Sequence, residues 1–241
     1  MRNPMPTKKP PLPDLDFYPP FEGFSKKTII FLKNLKRNNN RPWFERHREE
    51  FERDVKLPMQ SMIVALQPHF QRFAPEVEAD PRRSLFRIYR DVRFSKDKSP
   101  YKTHVAAHFV PRGRAKGIEG PGYYFHIEPG QVFIGVGIYM PPSDQLKKIR
   151  QAIAAQPETF LSIIKDPPFK KLFGKLEGEK LHRTPQGYEP DHPMAEWLKF
   201  KQFFVFVEWP ESKCFKKSFV TDVARVCETA VPLVRFLNNA G

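Results

Sequence analysis

Residues 123–139 have the sequence YYFHIEPGQVFIGVGIY. Apolar residues alternate with polar or small residues on both sides of Pro129-Gly130, which is the pattern of two half-buried strands. A Pro-Gly pair between two such runs indicates a tight turn. The stretch therefore predicts an antiparallel hairpin made of strands over residues 123–128 and 132–139.

Further strands are predicted on both sides of this hairpin. Residues 105–110 precede it and residues 203–209 follow it, and both runs are rich in β-branched and aromatic residues. Residues 84–94 also alternate, which predicts another half-buried strand. Its apolar side is interrupted by Arg90 and consists of Phe86, Ile88, Val92 and Phe94.

Helical periodicity surrounds the predicted strands. Ser25 can cap a first helix, Pro42 suits the first turn of a second, and Ser143 and Ser218 can cap helices later in the chain. The predicted fold class is therefore α+β: a mostly antiparallel central sheet of about four to six strands, with N-terminal and C-terminal helices packed on it.

The domain organisation follows from composition. Residues 1–20 contain seven prolines, so they are expected to form a flexible tail. Residues 21–238 are expected to form a single globular domain. The two cysteines are far apart and form no CxxC motif, which excludes a disulfide framework.

The chain is strongly basic. Its 241 residues include 41 Lys or Arg and 27 Asp or Glu, for a net charge of +14. Such a charge favours anionic partners. No run reaches the roughly 18 apolar residues of a spanning helix, and the N-terminus lacks the apolar centre of a signal peptide. We therefore expect a cytoplasmic protein with no membrane partner.

Much of this charge lies between Arg82 and His104, where eight Lys or Arg residues accompany two Asp residues. Guanidinium groups bind phosphates and carboxylates bidentately, so this basic segment predicts a site for an anionic small molecule. The candidate anion-binding residues are Arg87, Arg90, Asp91, Arg93, Lys98 and Lys102, with Asp91 orienting the arginines.

Two alternatives explain the same segment. The basic residues can bind the backbone of a nucleic acid while Tyr89, Phe94 or Tyr101 stacks on bases. Alternatively, the Arg–Asp pairs can be architectural, in which case replacing Arg90 would unfold the protein.

Histidines on the predicted strands form a second candidate site. If Ala106 lies opposite Glu128, His108 lies opposite His126. His126 and His104 are the candidate catalytic acid–base groups. A weaker alternative is a zinc, iron or manganese site, and the same side chains can also be purely structural. The four possible ligands are His104, His108, His126 and Glu128.

Several common catalytic signatures are missing. The sequence contains no P-loop glycine pattern, no HExxH and no GxSxG, and the Gly135-Val136-Gly137 run is not followed by the helix of a dinucleotide fingerprint. The sequence therefore identifies neither a reaction nor a cofactor, and it leaves the oligomeric state open.

Three longer motifs resemble a known family. They are DPRRSLFRIYRDVRFSKDKSPYKTH at residues 80–104, GYYFHIEPG at 122–130 and GYEPDHP at 187–193. This combination is similar to the signature of the domain of unknown function family 2461, over roughly residues 21–237. The resemblance implies a shared fold and a shared pocket, but no reaction. The family motifs include the candidate anion-binding residues and His126. They do not require histidine at position 104, where relatives carry Asn.

Overall fold

The computed structural model describes residues 17–113 and 120–240. The elements, in chain order, are α1 (Lys26–Arg37), α2 (Arg41–Arg46), α3 (Arg48–Phe51), a π-helical turn (Glu52–Lys56), α4 (Leu57–Phe73), β1 (Val77–Glu78), β2 (Val105–Pro111), β3 (Gly122–Glu128), β4 (Gln131–Ile138), α5 (Ser143–Ala155), α6 (Pro157–Lys165), α7 (Pro167–Phe173), α8 (Ala195–Leu198), β5 (Phe203–Trp209), a 3-10 turn (Glu211–Phe215) and α9 (Phe219–Asn239).

The described strands form one five-stranded sheet in the order β1-β2-β3-β4-β5. Every neighbouring pair is antiparallel. The predicted α+β class with an antiparallel sheet is therefore confirmed. The β3–β4 hairpin closes with Glu128 opposite Gln131, and Gly130 in its turn has φ of 86°, which glycine adopts without strain.

One face of the sheet carries the hydrophobic core. Phe70 of α4 packs against Phe109 and Tyr123, with ring centroids 5.2 and 5.4 Å apart, and Phe219 of α9 lies 5.8 Å from Phe125. Strand alternation sends the intervening side chains to the other side. We call that side the open face; it includes Ala106, His108, Tyr124, His126, Phe133, Gly135 and Phe206.

Irregular segments pair with β5, one outer strand of the sheet, and with the part of β2 that the short outer strand β1 leaves uncovered. On the β2 side, the Phe86 amide donates to the Ala106 carbonyl at 3.0 Å, and Leu85 bridges Ala107. On the β5 side, the amides of Glu177 and Phe204 each donate to the carbonyl of the other, at 2.7 and 3.3 Å. Both edges of the sheet are therefore covered along part of their length.

The predicted strand over residues 84–94 is wrong. Only isolated bridges form there, and the chain folds back on itself, with the Lys102 amide donating to the Ile88 carbonyl and the Arg90 amide to the Pro100 carbonyl. Ile88 is buried as predicted, but Phe94, predicted on the same apolar side, is 95% exposed. The alternation fails because only residues 84–86 pair with β2, and from Ile88 onward the segment pairs with its own continuation.

Helix boundaries largely follow the sequence signals. Pro42 lies in the first turn of α2, and Asn40 caps that helix by accepting from the Trp43 amide at 3.0 Å. Ser25 and Ser218, predicted as caps, make no such side-chain bond. The chain from α3 to α4 continues through the π-helical turn, and Pro58 lies in the first turn of α4.

Some predictions fall outside these observations. Residues 1–16 of the predicted tail over residues 1–20 lie outside the described residues. The limits of the globular domain at residues 21–238 and the cytoplasmic location stay predictions. Across residues 17–113 and 120–240, none of the helices combines the length and the apolar character required to cross a bilayer.

Candidate functional site

The register of β2 and β3 decides which open-face side chains meet. Ala106 lies opposite His126, and His108 lies opposite Tyr124. The predicted pairing of Ala106 with Glu128 is therefore wrong by two residues. The actual register moves His108 away from His126 and brings the residue just before β2, His104, toward the end of β3.

Three of the four possible metal ligands come together. Potential ligand atoms of His104, His126 and Glu128 all lie within 4.8 Å of one another. The His126 Nε2 is 3.7 Å from the Glu128 Oε1, and the two imidazole centroids are 4.4 Å apart. We call these three residues the His–Glu cluster. His108 lies outside it, beside Phe86, with ring centroids 6.1 Å apart.

His126 is held rigidly at the centre of the cluster. It is only 7% exposed, and its ring stacks on Phe133 with centroids 4.8 Å apart. Its Nδ1 shares a hydrogen bond of 3.0 Å with the Tyr124 hydroxyl. Its Nε2 is buried and has no hydrogen-bond partner among the described residues. A buried polar atom without a partner is uncommon in proteins and calls for a functional explanation.

Burial keeps both histidines neutral. Desolvation is the larger cause that lowers the pKa of His126 to about 3, and the repulsion that a protonated His104 would exert is the smaller one. Desolvation and nearby Lys102 lower the pKa of His104 to about 4. Burial also raises the pKa of Tyr124 to about 12, so the phenol remains protonated at neutral pH. The cluster therefore combines two neutral imidazoles with one carboxylate.

These pKa values bear on the predicted acid–base role of His126 and His104. A general acid or base works best when its pKa is near the working pH. Imidazoles with pKa values of about 3 and 4 are almost never protonated at pH 7 and are weak bases. Neutral imidazole is instead the form that ligates metals. The acid–base role of His126 and His104 therefore stays a prediction.

Most of the predicted anion-binding residues are engaged in a loop of their own, residues 90–99. Arg90 pairs with Asp97 and also approaches the Ser99 carbonyl at 3.4 Å. Arg93 pairs with Asp91 at 2.7 Å. Lys98 donates to the Val92 carbonyl at 3.0 Å.

This arrangement matches the architectural alternative for Arg90, Asp91, Arg93 and Lys98. The guanidinium of Arg93 lowers the pKa of Asp91 to about 2. These pairs are largely exposed, however, and exposed ion pairs contribute little to stability. The Arg90 side chain is 27% exposed, and that of its partner Asp97 is 60% exposed. Because this ion pair is not buried, we no longer expect replacement of Arg90 to unfold the protein.

Arg87 and Lys102 behave differently from the other four. Neither side chain forms an ion pair or a hydrogen bond with any residue that the structure describes, although the Lys102 backbone amide donates to the Ile88 carbonyl. Lys102 is half-buried, and its Nζ lies 5.1 Å from the centroid of the Phe86 ring. Desolvation and the charge of Arg87 lower the pKa of Lys102. The two cations thus form a positive patch adjoining the His–Glu cluster.

Sequence reasoning missed a pocket on the open face. Its volume is about 450 Å³, and it extends across β3, β4 and β5. Its aromatic lining consists of Tyr124, Phe133, Tyr139, Phe204 and Phe206. We call it the sheet pocket. It adjoins the His–Glu cluster because Tyr124 and Phe133 contact His126 directly.

A signal for this pocket was present in the sequence. Strand β5 has the sequence FFVFVEW, in which apolar and aromatic residues occupy both sides. A strand with one side in solvent would alternate more strictly. Gly135 lies at the floor of the pocket, and a Cβ there would approach no atom more closely than 3.9 Å. The two-sided hydrophobicity of β5 is the part of this signal that the sequence carries.

Comparison with known proteins identifies the family. No curated protein matches the chain. The model of the family described as conserved hypothetical protein (DUF2461) matches residues 27–236, which is most of the sequence. The match spans the basic segment, the His–Glu cluster and the strands of the sheet pocket. The chain belongs to the conserved hypothetical protein family DUF2461.

Proposed function

We propose that the protein binds a small organic anion on the open face of its sheet. Lys102 and Arg87 would hold the charged group, and the sheet pocket would receive an apolar or aromatic part. The observation that carries this proposal is Lys102, a half-buried cation that has no carboxylate partner within the described ranges and lies beside a second cation.

The charges of Lys102 and Arg87 favour an anion. Removing an ammonium from water costs free energy, and a neighbouring guanidinium adds repulsion. Both effects lower the pKa of Lys102. A bound phosphate or carboxylate would offset both, because it supplies the opposite charge and accepts hydrogen bonds. The four remaining candidates, Arg90, Asp91, Arg93 and Lys98, make their contacts within loop 90–99. Their role would be to hold that loop in place.

The sheet pocket determines which apolar or aromatic part the ligand carries beside its anionic group. Ligand pockets are mainly apolar and aromatic, with a few polar groups that fix orientation. The sheet pocket has this character, and Phe86 links it to the cations. The Phe86 centroid lies 6.0 Å from that of Tyr124 on one side and 5.1 Å from the Lys102 Nζ on the other. A compact aromatic phosphate or carboxylate would reach both regions.

The test measures binding of phenyl phosphate, benzoate, inorganic phosphate and phenol to Lys102→Met and Lys98→Met. We expect Lys102→Met to weaken binding of the aromatic anions about 10- to 100-fold, since a charge-assisted hydrogen bond contributes about 1.5–3 kcal/mol. Lys98→Met is the matched control, because Lys98 is held by the Val92 carbonyl and should not contact the ligand. Calorimetric titration provides the affinities.

A second variant tests whether the sheet pocket binds the aromatic part of the ligand. Gly135→Val would fill the floor of the sheet pocket and should weaken phenyl phosphate more than inorganic phosphate. Equal affinities of the two lysine variants would contradict the proposal, as would failure of every aromatic anion to bind the wild-type protein.

A second candidate function is binding of single-stranded nucleic acid, and one observation favours it. Phe94 is 95% exposed at the tip of the basic segment, and the Arg93 guanidinium lies 5.8 Å from its ring centroid. Exposed aromatic rings among basic residues are typical of surfaces on which bases stack. Here loop 90–99 itself, rather than the sheet pocket, would form the binding surface.

Phe94→Ala distinguishes this candidate. If loop 90–99 binds nucleic acid, the variant should weaken binding of a fluorescent oligothymidylate by about 1–3 kcal/mol, and rising salt should weaken the wild-type complex steeply. Phe17→Ala removes another exposed phenylalanine, 81% exposed, outside the basic segment and serves as the control. Fluorescence anisotropy at two salt concentrations is the measurement. Equal binding by both variants would eliminate this candidate.

A further inference from the structure

We propose that the His–Glu cluster is a binding site for a divalent first-row transition metal, with His104, His126 and Glu128 as its protein ligands. This inference stands on the geometry of the cluster and does not depend on the organic anion proposed above. It would hold even if the sheet pocket bound nothing.

The ligand types suit such a metal. Two imidazole nitrogens and one carboxylate oxygen are the protein ligands of several catalytic zinc sites, and the same set binds non-haem iron. Metal–nitrogen and metal–oxygen bonds of about 2.0–2.2 Å would place neighbouring ligand atoms roughly 3.3 Å apart in a tetrahedral site. The present separations of up to 4.8 Å exceed this by about 1.5 Å, a gap that side-chain rotation can close.

The three ligands differ in how far their side chains can move toward a metal ion. His126 is fixed by its burial and by its contacts with Phe133 and Tyr124. Glu128 ends β3 with its side chain 32% exposed, and His104 lies outside β2 and is only half-buried, so both have room to move. The site therefore has one rigid ligand and two adaptable ones.

The His126 Nε2 is the observation that points to a ligand. This nitrogen is buried and finds no hydrogen-bond partner among residues 17–113 and 120–240, while the Glu128 Oε1 is 3.7 Å away. A metal ion bound to Nε2 would satisfy it. The Nδ1 would then carry the proton and donate it to the Tyr124 hydroxyl, which lies 3.0 Å away. A second hydrogen bond of this kind usually orients metal-binding histidines.

The surrounding charge defines the remaining coordination. One carboxylate leaves a bound dication with net positive charge, and Lys102 is also nearby, as its effect on the pKa of His104 indicates. Three protein ligands leave at least one coordination position for water or an anion. An anionic ligand at that position would also offset the charge of Lys102.

The experiment measures zinc affinity and stoichiometry on the full-length protein. Protein stripped with a chelator and exchanged into metal-free buffer at neutral pH is titrated with Zn²⁺ in competition with a chromophoric chelator. Co²⁺ serves as a second probe, because its visible absorption reports coordination. We expect one Zn²⁺ per chain and an affinity at least about tenfold lower in Glu128→Gln and in His104→Asn. Tyr124→Phe should weaken binding about tenfold through His126.

His182→Asn is the control, because it removes an exposed histidine far from the cluster in sequence and should leave the affinity unchanged. Circular dichroism and thermal melting of each metal-free variant show whether it is folded. Using two ligand variants keeps the test decisive if one of them unfolds. Absence of stoichiometric Zn²⁺ binding by wild-type protein overturns the proposal, and so does wild-type affinity in folded Glu128→Gln or His104→Asn.

Discussion

Replacing Gly137 by alanine will destabilise the protein by roughly 3 kcal/mol or more. Gly137 has φ of 123°, a backbone conformation that residues with a Cβ rarely adopt. A Cβ at this position would lie 2.1 Å from the Phe203 carbonyl oxygen and 2.8 Å from the Phe204 Cα. Because both obstacles are backbone atoms of β5, relief requires the β4–β5 pairing to open. Urea unfolding followed by circular dichroism measures the loss.

Gly135→Ala is the matched control for this prediction. Gly135 lies two residues away on the same strand and face, and its backbone is outside the positive-φ region. The nearest atom to a Cβ there is the Val205 carbonyl oxygen at 3.9 Å. We expect this variant to retain wild-type stability or gain up to about 1 kcal/mol, since alanine restricts the unfolded chain. Similar losses in both variants would show that Gly137 is not specially constrained.

Acidification will destabilise the metal-free protein through the histidines of the His–Glu cluster. In the folded state the pKa is about 3 for His126 and about 4 for His104, against 6.5 for unperturbed histidine. Below pH 6.5 the unfolded chain therefore binds more protons than the folded protein, and stability falls as the pH approaches 4. Each histidine contributes a slope of up to about 1.4 kcal/mol per pH unit. Well above pH 6.5 both histidines are neutral in both states and contribute no slope.

His104→Asn isolates this effect from the titration of carboxylates elsewhere. Urea unfolding of the wild-type protein and the variant at pH 7.5 and pH 4.5, with a chelator present, gives four free energies of unfolding. The variant should lose less stability on acidification, because it lacks one of the two groups and no longer places His104 next to His126. Glu128, 3.7 Å from the His126 Nε2, remains in both proteins. Equal losses would show that neither the burial of His104 nor Lys102 governs its titration.

The antiparallel core of the sheet was predictable from local patterns. Alternation in residues 123–139 and the Pro129-Gly130 turn are sufficient to define the β3–β4 hairpin, because a two-residue turn fixes the register of its strands. The β2–β3 register was not fixed in this way, since a longer connection joins those strands. A slip of two residues keeps every side chain on the same face, so the hydrophobic pattern could not exclude it.

Because the β2–β3 register was not fixed by the sequence, the sequence could not predict which histidines lie next to each other. Alternation correctly placed His108 and His126 on the same face, and it could not decide which of them were neighbours. The actual register places His108 opposite Tyr124 and leaves His126 with His104 and Glu128. Which side chains share a face is a local property of a strand, whereas which of them touch depends on pairing at long range.

The basic segment shows a different limit. Its charge density indicated an anion site, but charge alone does not reveal whether a cation faces a ligand or a carboxylate of the same loop. Arg93 pairs with Asp91 only two residues away, and Arg90 pairs with Asp97 across the loop. Such pairs depend on the backbone turning back on itself, and the apparent strand alternation of residues 84–94 concealed that turn.

The segments that pair with the sheet edges bear on how copies of this protein behave in a crowded solution. An unpaired outer strand offers a row of amide and carbonyl groups on which another chain can add as a further strand, the first step toward amyloid-like growth. Here Leu85 and Phe86 occupy part of the β2 edge, and Glu177 pairs with Phe204 near the start of β5. Each pairing extends over only a few residues and belongs to no regular strand. Strand addition is thereby hindered along β2 and at the start of β5.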